Sequence, residues 1–198
     1  MNNTNQELKF FWVVALRPEA NALIKKFNLK SFSNHCNFPI YINRKNGHAL
    51  VISGVGSIKS AAATMYLNKT FNPGQFVAWI NIGIAGHFQG PVGTLFQAIK
   101  VVNNDNGKSF FPGLRFSKLA KAAELYTVSS PENEFALPVL YDMEAAGFCE
   151  IAPSLSCNEL TFVLKIVSDT SEQSQSLITK KMIADLFKKN SAMIDNLL

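Results

Sequence analysis

The chain has 198 residues, enough for one sizeable core, and a single domain over 1–198 with a frayed polar start at 1–9 is the simplest organisation. Its 47% hydrophobic and 17% charged content fits a compact globular protein and argues against disorder. The net charge of +5 is modest, and the pairs Lys25-Lys26, Lys180-Lys181 and Lys188-Lys189 read as solvated helix faces, so no basic stripe marks a nucleic-acid partner. Cys36, Cys149 and Cys157 are too scattered for a disulfide framework or a zinc site, which points to a reducing, cytoplasmic setting. The opening residues carry no signal-peptide pattern, and no apolar run nears the roughly eighteen residues of a membrane span, so no membrane partner is expected.

In chain order, residues 10–16 form the first β-branched and aromatic run, and Pro18 then suits a first helical turn, with Ala20, Leu23, Ile24 and Phe27 recurring on one face. A second strand is expected over 49–53. Ser57 is placed to cap a helix over 58–68, whose Ala61, Ala62, Ala63 and Met65 allow close packing on a sheet. Strands follow over 76–84 and 94–102. Residues 103–115 hold two turn chemistries, Asp105-Asn106-Gly107 and Phe111-Pro112-Gly113, ahead of a short helical patch over 118–124 and a break at Ser129-Ser130-Pro131. A helix is predicted over 143–151, a strand over 161–167, and a final amphipathic helix over 177–189 with Leu177, Ile178, Met182, Ile183 and Leu186 inward. Near-continuous apolar strands alternating with helices define an α/β, three-layer sandwich around a central, mostly parallel twisted sheet.

In such sheets ligands sit beyond the carboxyl ends of the strands. Glu19, Glu144 and Asp169 each stand at a predicted strand end beside apolar residues, where an ionised carboxylate needs a partner. The turn Gly83-Ile84-Ala85-Gly86 lies at a fourth such end and offers close backbone approach. Structural readings stand beside the functional ones: Asp169 as a helix cap, Glu19 as a first-turn acid, Glu144 in an ion pair, His87 and Phe135 in packing. Gly54-Val55-Gly56 lacks the third glycine of a dinucleotide fingerprint, Lys59 standing there, and no triphosphate loop is present.

Five blocks carry a family resemblance. Val14-Ala15-Leu16-Arg17-Pro18-Glu19-Ala20, Gly54-Val55-Gly56, Asn81-Ile82-Gly83-Ile84-Ala85-Gly86, Asp142-Met143-Glu144-Ala145-Ala146-Gly147 and Ile166-Val167-Ser168-Asp169 resemble, in order, motifs of the nucleoside phosphorylase superfamily. The nearest branch resembles the methylthioadenosine/S-adenosylhomocysteine nucleosidases and futalosine hydrolases. The resemblance implies a nucleoside phosphorylase-like fold and hydrolysis of the N-glycosidic bond of a purine nucleoside or related compound, without metal or organic cofactor, in a homodimer. It implies that Asp169 protonates the base, Ser168 orients that acid, Glu144 holds ribose hydroxyls and Met143 lies against the sugar. Glu19 would activate water, supported by Lys165 where nucleosidases place an arginine. Apart from the resemblance, the glycine turn offers Ala85 and Gly86 for close approach to substrate, and Phe135 could stack on a base, with core packing as its structural alternative.

Ile84 departs from the serine of methylthioadenosine nucleosidases, and the region between Val102 and Tyr141 is shorter than usual. Arg17 is the nearby candidate cation for phosphate, and one arginine makes a poor clamp, so hydrolysis is favoured over phosphorolysis. A catalytically silent nucleoside-binding sensor is the reading from another class.

Overall fold

The computed structural model describes residues 7–33, 38–115, 120–132, 135–171 and 178–196. Its elements run β1 (Phe10–Val14), α1 (Arg17–Lys26), β2 (Lys30–Ser33), β3 (Ile40–Asn43), β4 (His48–Ile52), α2 (Ser57–Phe71), β5 (Ala78–His87), β6 (Leu95–Asn103), β7 (Ser109–Phe110), β8 (Lys121–Thr127), β9 (Leu140–Asp142), α3 (Ala145–Ile151), β10 (Thr161–Asp169), α4 (Lys180–Lys189) and α5 (Ser191–Asn196). Strand β1 sends Phe11 and Val13 into one apolar layer and Trp12 and Val14 into the other. A strand covered on both faces has no polar side, which explains the unbroken apolar run.

The first layer is closed by α2 and α3 through Ala63, Leu67, Ala146 and Phe148, and the second by α1 and α4 through Ala20, Leu23, Ile183 and Phe187. Helices α2 and α3 meet at Gly147, where a side chain's Cβ would stand 1.9 Å from the Ser57 carbonyl oxygen. In the second layer His48 is stacked on Phe27 and accepts the Trp12 indole N–H at 3.0 Å, and burial lowers its pKa to about 4. It is a neutral core group.

The strand order is β10-β6-β8-β9-β5-β1-β4-β3-β2, and β10 also pairs with β5. That extra pairing closes β5, β10, β6, β8 and β9 into a five-stranded ring, from which β1, β4, β3 and β2 extend. The expected α/β fold with a mixed, mostly parallel twisted sheet holds in its α/β character and mixed pairing, but among the described residues only five of ten ladders are parallel, and one end of the sheet curls on itself. The long β5 makes this possible, because β1 pairs with its Ala78–Asn81 stretch and β9 with Gly86 and His87. Neither reaches residues 82–85, and the sheet opens there.

Four element expectations change. The helical patch at 118–124 is strand β8 over its described part; the helix formers Ala122, Ala123 and Glu124 yield to parallel pairing with β6 and β9, which buries Leu125 and Thr127. Gly56, at φ 110°, and not Ser57, precedes the first turn of α2, and α3 begins at Ala145 with Glu144 at its N-cap. The helix expected last, over 177–189, is α4, which begins at Lys180 after the Thr179 side chain accepts the Met182 amide and is followed by α5; Leu177, like Cys36 and residues 1–6, lies outside the described residues.

Candidate active site

The stretch of β5 that β10 covers on one edge and neither β1 nor β9 covers on the other forms one wall of a cavity of about 290 Å³ that holds all three acids singled out from the sequence, Glu19, Glu144 and Asp169. Ala85, Gly86, Phe135, Met143 and Ser168 line it too. A larger depression of about 860 Å³ lies between α1 and α4; lysines, Arg17, Asp185 and apolar residues line it, and none of the three acids does. The smaller space is the candidate site.

Glu19 sits in the first turn of α1, placed by Pro18 at the helix start. Its Oε2 accepts the Leu16 amide at 2.8 Å and its Oε1 accepts the Ile84 amide at 2.8 Å. The first bond makes it a helix-start acid, and the second aims it at the open edge of β5. Burial, against the opposing effect of these amides and of Lys165, raises its pKa to about 7. A carboxylate with that pKa exchanges protons near neutrality, as a general base must.

Glu144 lies across the cavity, where its Oε1 accepts the Gly56 amide at 2.9 Å. That contact ties the α2 entry to the α3 entry. Burial and the neighbouring Asp142 raise its pKa, opposed by Lys165. Asp169 ends β10 and is 4% exposed; burial raises its pKa although the Ser168 hydroxyl, donating at 2.5 Å, works the other way. The same hydroxyl reaches the Ala85 carbonyl oxygen at 3.3 Å, so Ser168 anchors the acid to β5.

Gly86 is required by closeness: a Cβ there would lie 2.5 Å from the Phe135 ring and 3.1 Å from Asp169 Oδ2. Phe135 belongs to a small apolar cluster with Val128, Val139 and Tyr141 and at the same time walls the cavity, so its packing and lining roles coincide. His87 accepts the Gly90 amide at 2.8 Å and stacks on Phe96, a packing role.

Two residues singled out from the sequence do not line the cavity. Lys165 is fully buried behind it and pairs with Asp142 at 2.8 Å. Burial lowers its pKa, but Asp142, Glu144 and Glu19 outweigh that and leave it raised, so it is a cation. Arg17 points away into the α1–α4 depression, where its guanidinium bonds the Tyr41 hydroxyl and lies over that ring. Its expected availability for phosphate is corrected, because as the first residue of α1 it projects from the helix face opposite the cavity acid.

Asp142 escaped the reading of the sequence as a site residue. Its signal was an acid closing an apolar strand beside Glu144, but its partner is 23 positions away in a different strand. Among the described residues no group of three or more His, Cys, Asp and Glu side chains is arranged to hold a metal ion, and no helix is long and apolar enough to cross a membrane.

This fold is shared with solved nucleosidases. The chain superposes on Arabidopsis thaliana 5′-methylthioadenosine nucleosidase with a TM-score of 0.77 at 19% identity, covering 96% of both chains. It matches a methylthioadenosine/S-adenosylhomocysteine nucleosidase from Colwellia psychrerythraea, solved in complex with adenine, with a TM-score of 0.76 at 20% identity, covering 97% of this chain and 95% of that one. A futalosine hydrolase mutant from Helicobacter pylori matches with a TM-score of 0.71 at 14% identity over 95% of this chain and 99% of that one. At these identities the likeness establishes a nucleoside phosphorylase-like fold. No family model matches the sequence, and no curated protein matches it.

Proposed function

We propose that the chain is a nucleosidase, an N-ribosyl hydrolase acting on a purine nucleoside or a related N-glycoside. The observation that carries this reading is the convergence of Glu19, Glu144 and Asp169 on one cavity, with Glu19 and Asp169 both holding raised pKa values. Cleavage of an N-glycosidic bond needs a proton for the departing base, stabilisation of a cationic sugar and an activated water. Asp169, whose hold on a proton burial strengthens, supplies the proton to a ring nitrogen of the base, and the Ser168 hydroxyl holds it in place. Glu144 accepts hydrogen bonds from the ribose hydroxyls, and its charge with the Met143 thioether stabilises the oxocarbenium-like centre. Glu19 takes a proton from water, with the Lys165 ammonium behind it. Ala85, Gly86 and Phe135 bound the base.

The charge of the cavity favours water over phosphate. Its described walls present carboxylates, Arg17 is turned away, and Lys165 is committed to Asp142. A dianionic nucleophile would meet repulsion there. Adenine in the Colwellia neighbour supports a purine as the base. Exposed Val55, Ile58 and Met65 give the start and outer face of α2 an apolar surface beside the cavity, which supports a homodimer. We place this single-domain enzyme in the cytoplasm.

The test is base release from a panel of purine nucleosides in phosphate-free buffer, with Asp169→Asn as the control. Release without phosphate, abolished in the variant, supports the hydrolase; release only with phosphate would replace it with a phosphorylase, and tight binding without turnover with a sensor.

A further inference from the structure

At the cavity wall, Asp142 is tied down on both oxygens. Its Oδ1 accepts the Thr127 hydroxyl at 2.7 Å, and its Oδ2 accepts the Ala145 amide at 2.9 Å and meets Lys165 Nζ at 2.8 Å. Thr127 Oγ1 in turn accepts the Ala146 amide at 2.9 Å. One carboxylate thus joins β8, the first turn of α3 and β10, and both members of the ion pair have side chains at most 1% exposed. A charge pair so far from water is a feature with strong consequences for any charge nearby.

Glu19 is such a neighbour. Lys165 is the register partner of Gly83 on β5 and of Phe96 on β6. The position a side chain at Gly83 would occupy lies 3.0 Å from Glu19 Oε1 and 3.6 Å from Lys165 Nζ, so the base and the ammonium face each other across a missing side chain. Even so, Asp142 is the ion-pair partner of Lys165 among the described residues, and Glu19 keeps to backbone amides. The titratable groups around the ammonium are Asp142 and Glu144 at the entry to α3, Glu19 from α1, and the Cys149 thiol from α3, which burial pushes up and keeps neutral.

We propose that Asp142 is a positioning residue for the Glu19 base: it draws the Lys165 ammonium to its own side and so keeps that charge from pairing with Glu19 directly. A base locked in a salt bridge would be a poor proton acceptor. With the ammonium held by Asp142, Glu19 feels the cation at a distance and stays able to take a proton. The inference rests on the nucleosidase reading for its catalytic meaning, but not for its test.

Carbon-13 NMR of glutamate-labelled protein, with Glu19 assigned by Glu19→Gln, follows the titration of that carboxyl directly. Asp142→Asn should lower its midpoint by about one unit or more as the freed ammonium moves onto Glu19, and Lys165→Met should raise it. Thr127→Val, which loosens Asp142 without changing charge, should move it in the Asp142→Asn direction by less, and serves if Asp142→Asn does not fold. The acid limb of the base-release profile should shift with the NMR midpoint. Midpoints unmoved, or moved the same way by Asp142→Asn and Lys165→Met, would overturn the proposal. If the wild type releases no base from any nucleoside, the nucleosidase reading fails while the NMR titration still decides this one.

Discussion

Ile84 gives its backbone amide to Glu19 Oε1 at 2.8 Å, so the candidate base is held by the one stretch of β5 that neither β1 nor β9 covers. A gap in sheet pairing forms one wall of the candidate site. The amide that would have bonded a neighbouring strand orients a buried acid instead.

That burial makes stability depend on pH in a defined direction. Glu19 has a folded pKa of about 7 against an ordinary 4.5, so the folded state holds its proton more tightly. Its contribution to stability is present below about pH 4.5 and is lost as pH rises through about 7, a difference of roughly 3 kcal/mol. Glu144, also raised, acts in the same direction. Urea denaturation of wild type and Glu19→Gln should show their stability difference shifting toward the variant by about that amount between pH ~4 and pH ~8. Base release by the variant should fall by about 100- to 10,000-fold.

Gly86→Ala tests how closely the cavity is built. The new Cβ would stand 2.5 Å from the Phe135 ring, and the ring must swing away to admit it. We predict a rise in KM of about tenfold or more and a stability loss of about 1–3 kcal/mol, read by steady-state kinetics and thermal melting.

Gly147→Ala should act on stability first. Here the obstacle is the Ser57 backbone oxygen at 1.9 Å, which has no flexible end to yield, so α2 and α3 must separate. A loss of at least about 1–3 kcal/mol is expected, visible as a lower urea midpoint. Because Glu144 bonds Gly56 at the same junction, substrate binding should weaken with it.

Ile84→Ser would place a hydroxyl on the wall beside Glu19. If a hydrogen bond to the attacking water is what the isoleucine lacks, one neutral bond worth about 1 kcal/mol should raise kcat about fivefold. An unchanged or lower kcat, measured under saturating nucleoside, would count against a water held at that wall.

The parts of the fold legible in the sequence were those governed by local pattern. Strands β1, β4, β5 and β10 are covered on both faces, as is the first half of β6, and they declare themselves as apolar runs, while α1 and α4 carry amphipathic stripes. Strands β8 and β9 were hidden for different reasons: β8 contains helix formers that only its partners hold extended, and β9 is three residues long. The closure of the barrel was also invisible, because it depends on β10 pairing both β5 and β6, a matter of topology with no local signature. At the site, acids placed at strand ends could be read, since an apolar neighbourhood makes a charge conspicuous. The partnership of Asp142 and Lys165 could not, because it joins distant strands, and Arg17 misled because sequence proximity to Glu19 says nothing about which side of α1 it leaves.

Three acids acting on one bound nucleoside should be visible in a crystal structure of the Asp169→Asn variant soaked with adenosine. Density is expected in the cavity of Glu19, Glu144 and the substituted position, with the base against Phe135, a ring nitrogen facing residue 169, and ribose hydroxyls on Glu144. Nucleoside bound instead in the depression between α1 and α4, or bound in the cavity with its sugar away from both glutamates, would contradict that arrangement.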